Sequence, residues 1–148
     1  MNEDLSGLAS FADKGLIVQP DGRGGFKANV APIGYHSTEF SVGYAGSGAA
    51  ELALATLAAY LPAPTPEELA SRLALRGGDF ERAAADLSLW ADILGPQRIR
   101  VNRLAVALHQ DFKWEFITPM PQSGGHVTLE EIEQWLEANK AQIHRSAR

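Results

Sequence analysis

The sequence predicts an α+β domain, with a small, mainly antiparallel sheet of about three to four strands packed against a buried central helix and about four amphipathic helices. Three observations point there. Short segments near residues 15, 26, 39 and 112 alternate apolar and polar residues between glycine and proline punctuation. The run from Ala49 to Leu61 is apolar apart from Glu51, Thr56 and Tyr60. Several later stretches carry apolar residues at helical spacing behind clear capping signals.

"GLIVQ" at 15 to 19 and "FKANV" at 26 to 30 flank "PDGRGG", a turn-rich connection, and read as a hairpin. "EFSVGY" places Phe40 and Val42 on one face and Glu39 and Ser41 on the other, the pattern of a half-buried strand. The helix of Ala49 to Leu61 is apolar almost all round, so other elements should cover it, with Leu54 and Leu57 in the core. Glu51 is expected to favour its positive end. "LPAPTPEEL" ends that helix, and Thr65, Pro66 and Glu68 form a capping box for another running from Pro66 to about Arg76.

Asp79 caps a further predicted helix, "FERAAADLSLWADIL", that stops at Gly95 and Pro96. Helix is expected again from about Ile99, with Val101, Leu104, Ala105, Leu108 and Phe112 on one stripe. "FKWEFI" then alternates with period two, which predicts a strand with Phe112, Trp114 and Phe116 in the core and Asp111, Lys113 and Glu115 on a solvated face. After the loop "TPMPQSGGHV", Thr128 and Glu131 open a final helix carrying Ile132, Trp135 and Leu136 inward.

The whole chain, 1–148, is of a size for one domain, and its 45% hydrophobic content can supply one core. Acids in "MNEDLSGLAS" stand where a secretory signal would carry bases, and no apolar run is long enough to cross a bilayer. A cytoplasmic location is therefore expected. The absence of cysteine excludes disulfides, thiolate nucleophiles and sulfur-ligated zinc. A formal charge of -5 argues against direct nucleic-acid binding, which needs a concentrated basic surface.

The turn "GYAGSG" at 43 to 48 admits three readings. Gly43 and Gly48 have the glycine spacing of a phosphate-binding loop, but Ala49 and Ala50 replace its lysine and hydroxyl, leaving only backbone amides for an anion. Ala45-Gly46-Ser47-Gly48-Ala49 imitates a nucleophile elbow, yet nothing pairs Ser47 with a histidine. The third reading is structural: Gly43, Gly46 and Gly48 reverse the chain, and Ser47 or Gly48 caps the helix. This third reading explains every residue.

Of the other candidates for chemistry, His36, His109, His126 and His144 lack any close ligand spacing, so the fold would have to assemble a metal site. No catalytic set, metal or cofactor is expected. Glu67, Glu68, Asp79, Glu81, Asp86 and Asp92 give the stretch 63–97 an acidic bias that can present phosphate-like charge to a basic partner. Arg98, Arg100 and Arg103 form the one basic cluster, placed against the dipole if they open a helix. Both groups are candidate interface residues.

"FSVGYAGSGAAELALATLAAYL", "ALHQDFKWEFI" and "EEIEQWLEANK" together resemble a family of small uncharacterised domains found in bacteria and their phages and plasmids. The resemblance covers roughly two thirds of the chain and implies a setting rather than an activity. It rests on Gly43, Tyr44, Gly46, Ser47, Gly48, Gln110, Phe112, Lys113, Trp114 and Phe116. It breaks at Ala45, where glycine is expected, and over 63–97, which reads as a helical insertion. A mobile-element setting implies a non-enzymatic binding protein that inhibits a host protein or ribonucleoprotein complex, a defence complex such as a CRISPR effector among them. The alternatives are a nucleotide or anion binder or hydrolase using the 43–48 turn, and a structural phage component.

Overall fold

In the computed structural model of the protein the described residues are 8–44, 46–75, 77, 82 and 90–146. The expected α+β architecture is present: small antiparallel sheets with helices packed on them. A short helix, α1 (Phe11–Lys14), leads into β1 (Leu16–Pro20), which pairs with β2 (Phe26–Ala28) so that Val18 faces Ala28. The hairpin loop closes because Asp21 Oδ1 accepts from the Arg23 and Gly25 amides, an Asx-type turn. Asn29 fixes the other end. Its amide group, almost fully buried, accepts from the Ile17 N–H and donates to the carbonyls of Ala9 and Gly15.

The third strand of this sheet is β5 (Gly125–Val127), antiparallel to β1 with Leu16 opposite Val127, giving the order β2-β1-β5. This corrects the sequence reading, which placed that segment in a loop. Three residues are too few to show a period, and the pairing depends on a partner far away in the chain. The segment at 39 contributes a single bridge, Phe40 to Phe26, rather than a strand. Its alternation is real, since Phe40 and Val42 are buried while Glu39 is exposed. The ladder stops there because the Gly43 N–H turns instead to the Ile117 carbonyl.

The long helix α2 (Ser47–Tyr60) is the centre of the molecule, with every residue from Ala49 to Leu57 buried. It is followed by α3 (Pro66–Leu75), whose capping box is reciprocal: the Thr65 N–H donates to Glu68 Oε1 at 2.8 Å and the Glu68 N–H to Thr65 Oγ1 at 3.1 Å. Most of the helix predicted from Asp79 lies outside the described residues. Its end does not: β3 (Ala91–Leu94) and β4 (Ile99–Asn102) form a second antiparallel hairpin. Gly-Pro, read as a helix stop, instead begins a turn in which the Arg98 N–H donates to the Gly95 carbonyl. The following helix, α4 (Arg103–Phe112), therefore starts later than expected, capped by Asn102 Oδ1 on the Leu104 N–H.

The largest correction concerns "FKWEFI". Residues Lys113–Ile117 form a π-helical turn that prolongs α4, sealed by the Thr118 N–H on the Lys113 carbonyl at 2.8 Å. Phe112 and Phe116 are two steps of a strand but also i and i+4 of a helix, so five residues of alternation could not separate the two. The consequence falls on Trp114. It lies opposite that face and is 59% exposed rather than in the core. Phe112 is fully buried, and with Phe116 and Trp135 it makes an aromatic cluster with centroids 4.8 to 6.2 Å apart. Trp135 comes from α5 (Leu129–Ser146), which opens with the predicted Thr128/Glu131 capping box and buries Ile132 and Leu136.

Candidate functional site

The sequence put one acid, Glu51, into the apolar face of α2, and its side chain is fully buried. It does not serve the helix end as expected. Both carboxylate oxygens reach the loop 33–37: Oε2 accepts from the Ile33 and Gly34 amides, and Oε1 from Tyr35, His36 and, at 3.4 Å, Ser37. A buried carboxylate is tolerated only with such donors, and here consecutive backbone amides wrap around it as a nest wraps an anion. A loop without secondary structure is thereby fixed to the central helix.

The fixed loop presents His36. Its Nε2 stands 2.9 Å from Nε2 of His109, on α4, with the ring centroids 5.0 Å apart. His109 Nδ1 is 2.7 Å from the Val106 carbonyl, which can only accept, so Nδ1 carries the proton of a neutral ring. Its Nε2 is then the acceptor, and the proton shared by the pair belongs to His36. Burial lowers the pKa of both histidines. The Val106 hydrogen bond works against this at His109 and the Glu51 carboxylate at both rings, while Lys113 lowers both further and His36 lowers His109.

This pair predicts a pH dependence with a definite sign. The folded-state pKa values lie below the unfolded value of about 6.5, so on acidification the unfolded chain takes up protons first. Stability should be fully present above that value and fall as pH drops below it, before most carboxylates titrate. Urea melts at pH 7.5 and 5.5 check this, and His36→Gln should flatten the difference. An unchanged midpoint between the two pH values would refute it.

The Tyr35 ring adjoins the pair, and the charge of Lys113 acts on both of its rings. Tyr35, 49% exposed, sets its ring edge against His36 at 4.7 Å, and the Lys113 ammonium lies 5.1 Å from the Trp114 ring centroid. Sequence reasoning missed this group because His36 and His109 are 73 residues apart and neither lies in a motif. The available signal was Glu51, an acid with no room for solvent on a helix apolar all round.

In the segment 43–48, Ala45 lies outside the described residues, and the glycines on either side of it are placed by backbone geometry. Gly43 has φ +86, a backbone that side chains rarely adopt, and Gln122 Nε2 crosses it to donate to the Val42 carbonyl. Gly46, not Ser47 or Gly48, is the N-cap, with extended backbone at φ -146. It needs no positive φ. Gly48 is the position of close approach: a Cβ there would meet Ser41 Oγ at 2.5 Å, Ser41 N at 3.0 Å and the Glu39 carbonyl at 3.1 Å. Gly48→Val should therefore cost about 2–3 kcal/mol by overpacking, while Gly46→Ala, which meets only the exposed Tyr44 ring, should cost under about 1 kcal/mol. Thermal melts of the two variants compare them directly, and equal losses would refute the assignment.

The remaining expected interface residues are dispersed. Glu67 and Glu68 are exposed on α3, the latter engaged in its cap, and Asp92 is half-buried on β3. Asp79, Glu81 and Asp86 lie outside the described residues. Arg98 sits in the β3–β4 turn at φ +55, Arg100 is exposed on β4 and Arg103 begins α4, so the arginines follow a hairpin rather than open one helix. A separate cleft of about 520 Å³ beside the β1–β2 loop is lined by residues including Asp21, Arg23, Lys27 and Glu39. Among the described residues no helix is long and apolar enough to cross a membrane. Comparison of the chain with protein-family models, with curated proteins and with solved structures returned no match.

Proposed function

We propose that the protein is a non-enzymatic binding module of mobile-element origin that docks on a host protein or ribonucleoprotein complex through the surface around Trp114. The exposure of Trp114, 59% on a π-helical turn, is the observation that carries this reading. Large aromatic side chains held out in solvent are the residues that anchor protein interfaces, and π turns recur where a helix is bent to serve a function. The Lys113 ammonium lies over its ring, so an apolar anchor stands beside a cation. The overall charge of -5 favours a basic partner by long-range attraction, as a host nucleic-acid-handling complex would be. A CRISPR effector is one member of that class.

The test is affinity capture from host lysate with and without nuclease, comparing the unaltered protein with Trp114→Ala. One enriched complex should appear and be lost with the variant, whose partner affinity should fall by at least about 30-fold, the scale of a hot-spot truncation. Recovery of the bait alone, or equal capture by the variant, would overturn the proposal.

A further inference from the structure

We propose that His36 and His109 form a two-histidine site for a borderline divalent transition ion such as Zn²⁺, with water completing the coordination shell. This inference is independent of the binding-module reading.

The geometry points to it. Both imidazoles direct Nε2 at one point, 2.9 Å apart, and they are held there from behind. His109 donates Nδ1–H to the Val106 carbonyl at 2.7 Å, the outer hydrogen bond that typically orients a metal-binding histidine and leaves the Nε2 lone pair free. His36 is fixed through its own amide, which donates to Glu51 Oε1 at 2.8 Å, and the carboxylate in turn is anchored in the central helix. Two nitrogens on one tetrahedral zinc, each at about 2.0–2.1 Å, stand about 3.3–3.4 Å apart. The rings need to part by only a few tenths of an ångström, and His36, half-buried at the end of its loop, is the side that can yield.

The proton balance is internal. The lone Nε2–H of the pair, on His36, moves to Nδ1 of the same ring, and the two Nε2 lone pairs then face the ion. No net proton leaves the protein. Among the described residues no third His, Cys, Asp or Glu completes a cluster with them, and the Glu51 oxygens are taken by amides, so the open positions fall to water. Imidazole ligation selects Zn²⁺, Ni²⁺ or Cu²⁺ over the oxygen-seeking Mg²⁺ and Ca²⁺. Lys113 opposes any cation here, but its ammonium is drawn over the Trp114 ring.

The experiment is calorimetric titration of the untagged protein with ZnCl₂ and, separately, MgCl₂, repeated on His36→Ala, His109→Ala and His126→Ala. The expected result is one equivalent of Zn²⁺ bound, no response to Mg²⁺, affinity at least tenfold weaker in the first two variants, and His126→Ala unchanged. His109 is buried, so where its variant fails to fold, His36→Ala, checked by circular dichroism, decides the case. Absence of Zn²⁺ binding, or binding that survives His36→Ala in the folded protein, would overturn the site.

Discussion

Glu51→Ala is expected to lower the unfolding free energy by about 3–5 kcal/mol, the scale on which breaking a buried charge-assisted network destabilises a domain. The cost comes from the amides left behind rather than from the lost side chain. Ile33 and Gly34 share one carboxylate oxygen and Tyr35 and His36 the other, and Ile33 is itself buried, so water cannot replace every bond. Glu51→Gln keeps the shape and one acceptor oxygen but turns an NH₂ toward N–H donors, and should cost about 2 kcal/mol. Hydrogen exchange should show faster amide exchange over residues 33–37 in Glu51→Gln while the centre of α2 stays protected. Wild-type stability in both variants would mean that the carboxylate does not hold the loop. The effect reaches the surface because the same loop carries Tyr35 and His36 to their places beside α4.

What could be read in the sequence was what local chemistry decides. The central helix was legible because nine consecutive residues from Ala49 to Leu57 have no polar face to show solvent, and they are all buried. Both capping boxes were legible because Thr65 with Glu68, and Thr128 with Glu131, satisfy each other across three residues. The β1–β2 hairpin was legible from its turn. By contrast, β5 and the β3–β4 hairpin are three or four residues long and exist only through their partners, so no internal period announced them. The site was the least legible part. His36 and His109 meet only because Glu51 folds one loop onto α2 and α4 packs across it, a juxtaposition that no spacing rule encodes. Glu51 itself reads as a dipole partner in the sequence because its position in the first turns of α2 offers a local explanation, whereas its real partners lie in a loop 14 to 18 residues away.

Phe112→Ala and Trp114→Ala should differ sharply, although the alternation of "FKWEFI" had placed both in one core. Phe112 is fully buried between Phe116 and Trp135, and its removal should cost about 3–5 kcal/mol through lost contacts and a cavity that the π turn cannot close. Trp114 is 59% exposed, and its truncation gives up part of one ring face and the Lys113 contact, for a cost below about 1 kcal/mol. Chemical denaturation of the two variants measures the contrast. A loss of several kcal/mol in Trp114→Ala would restore the strand-like reading of 112–116 and remove the anchor from the proposed interface. A near-native Trp114→Ala beside a severely weakened Phe112→Ala is what a helical register requires, since residues 112 and 116 share a face and 114 stands on the other. That register also explains why a large aromatic residue is held where it adds so little to stability: the turn that buries its neighbours leaves Trp114 free to be buried by something else.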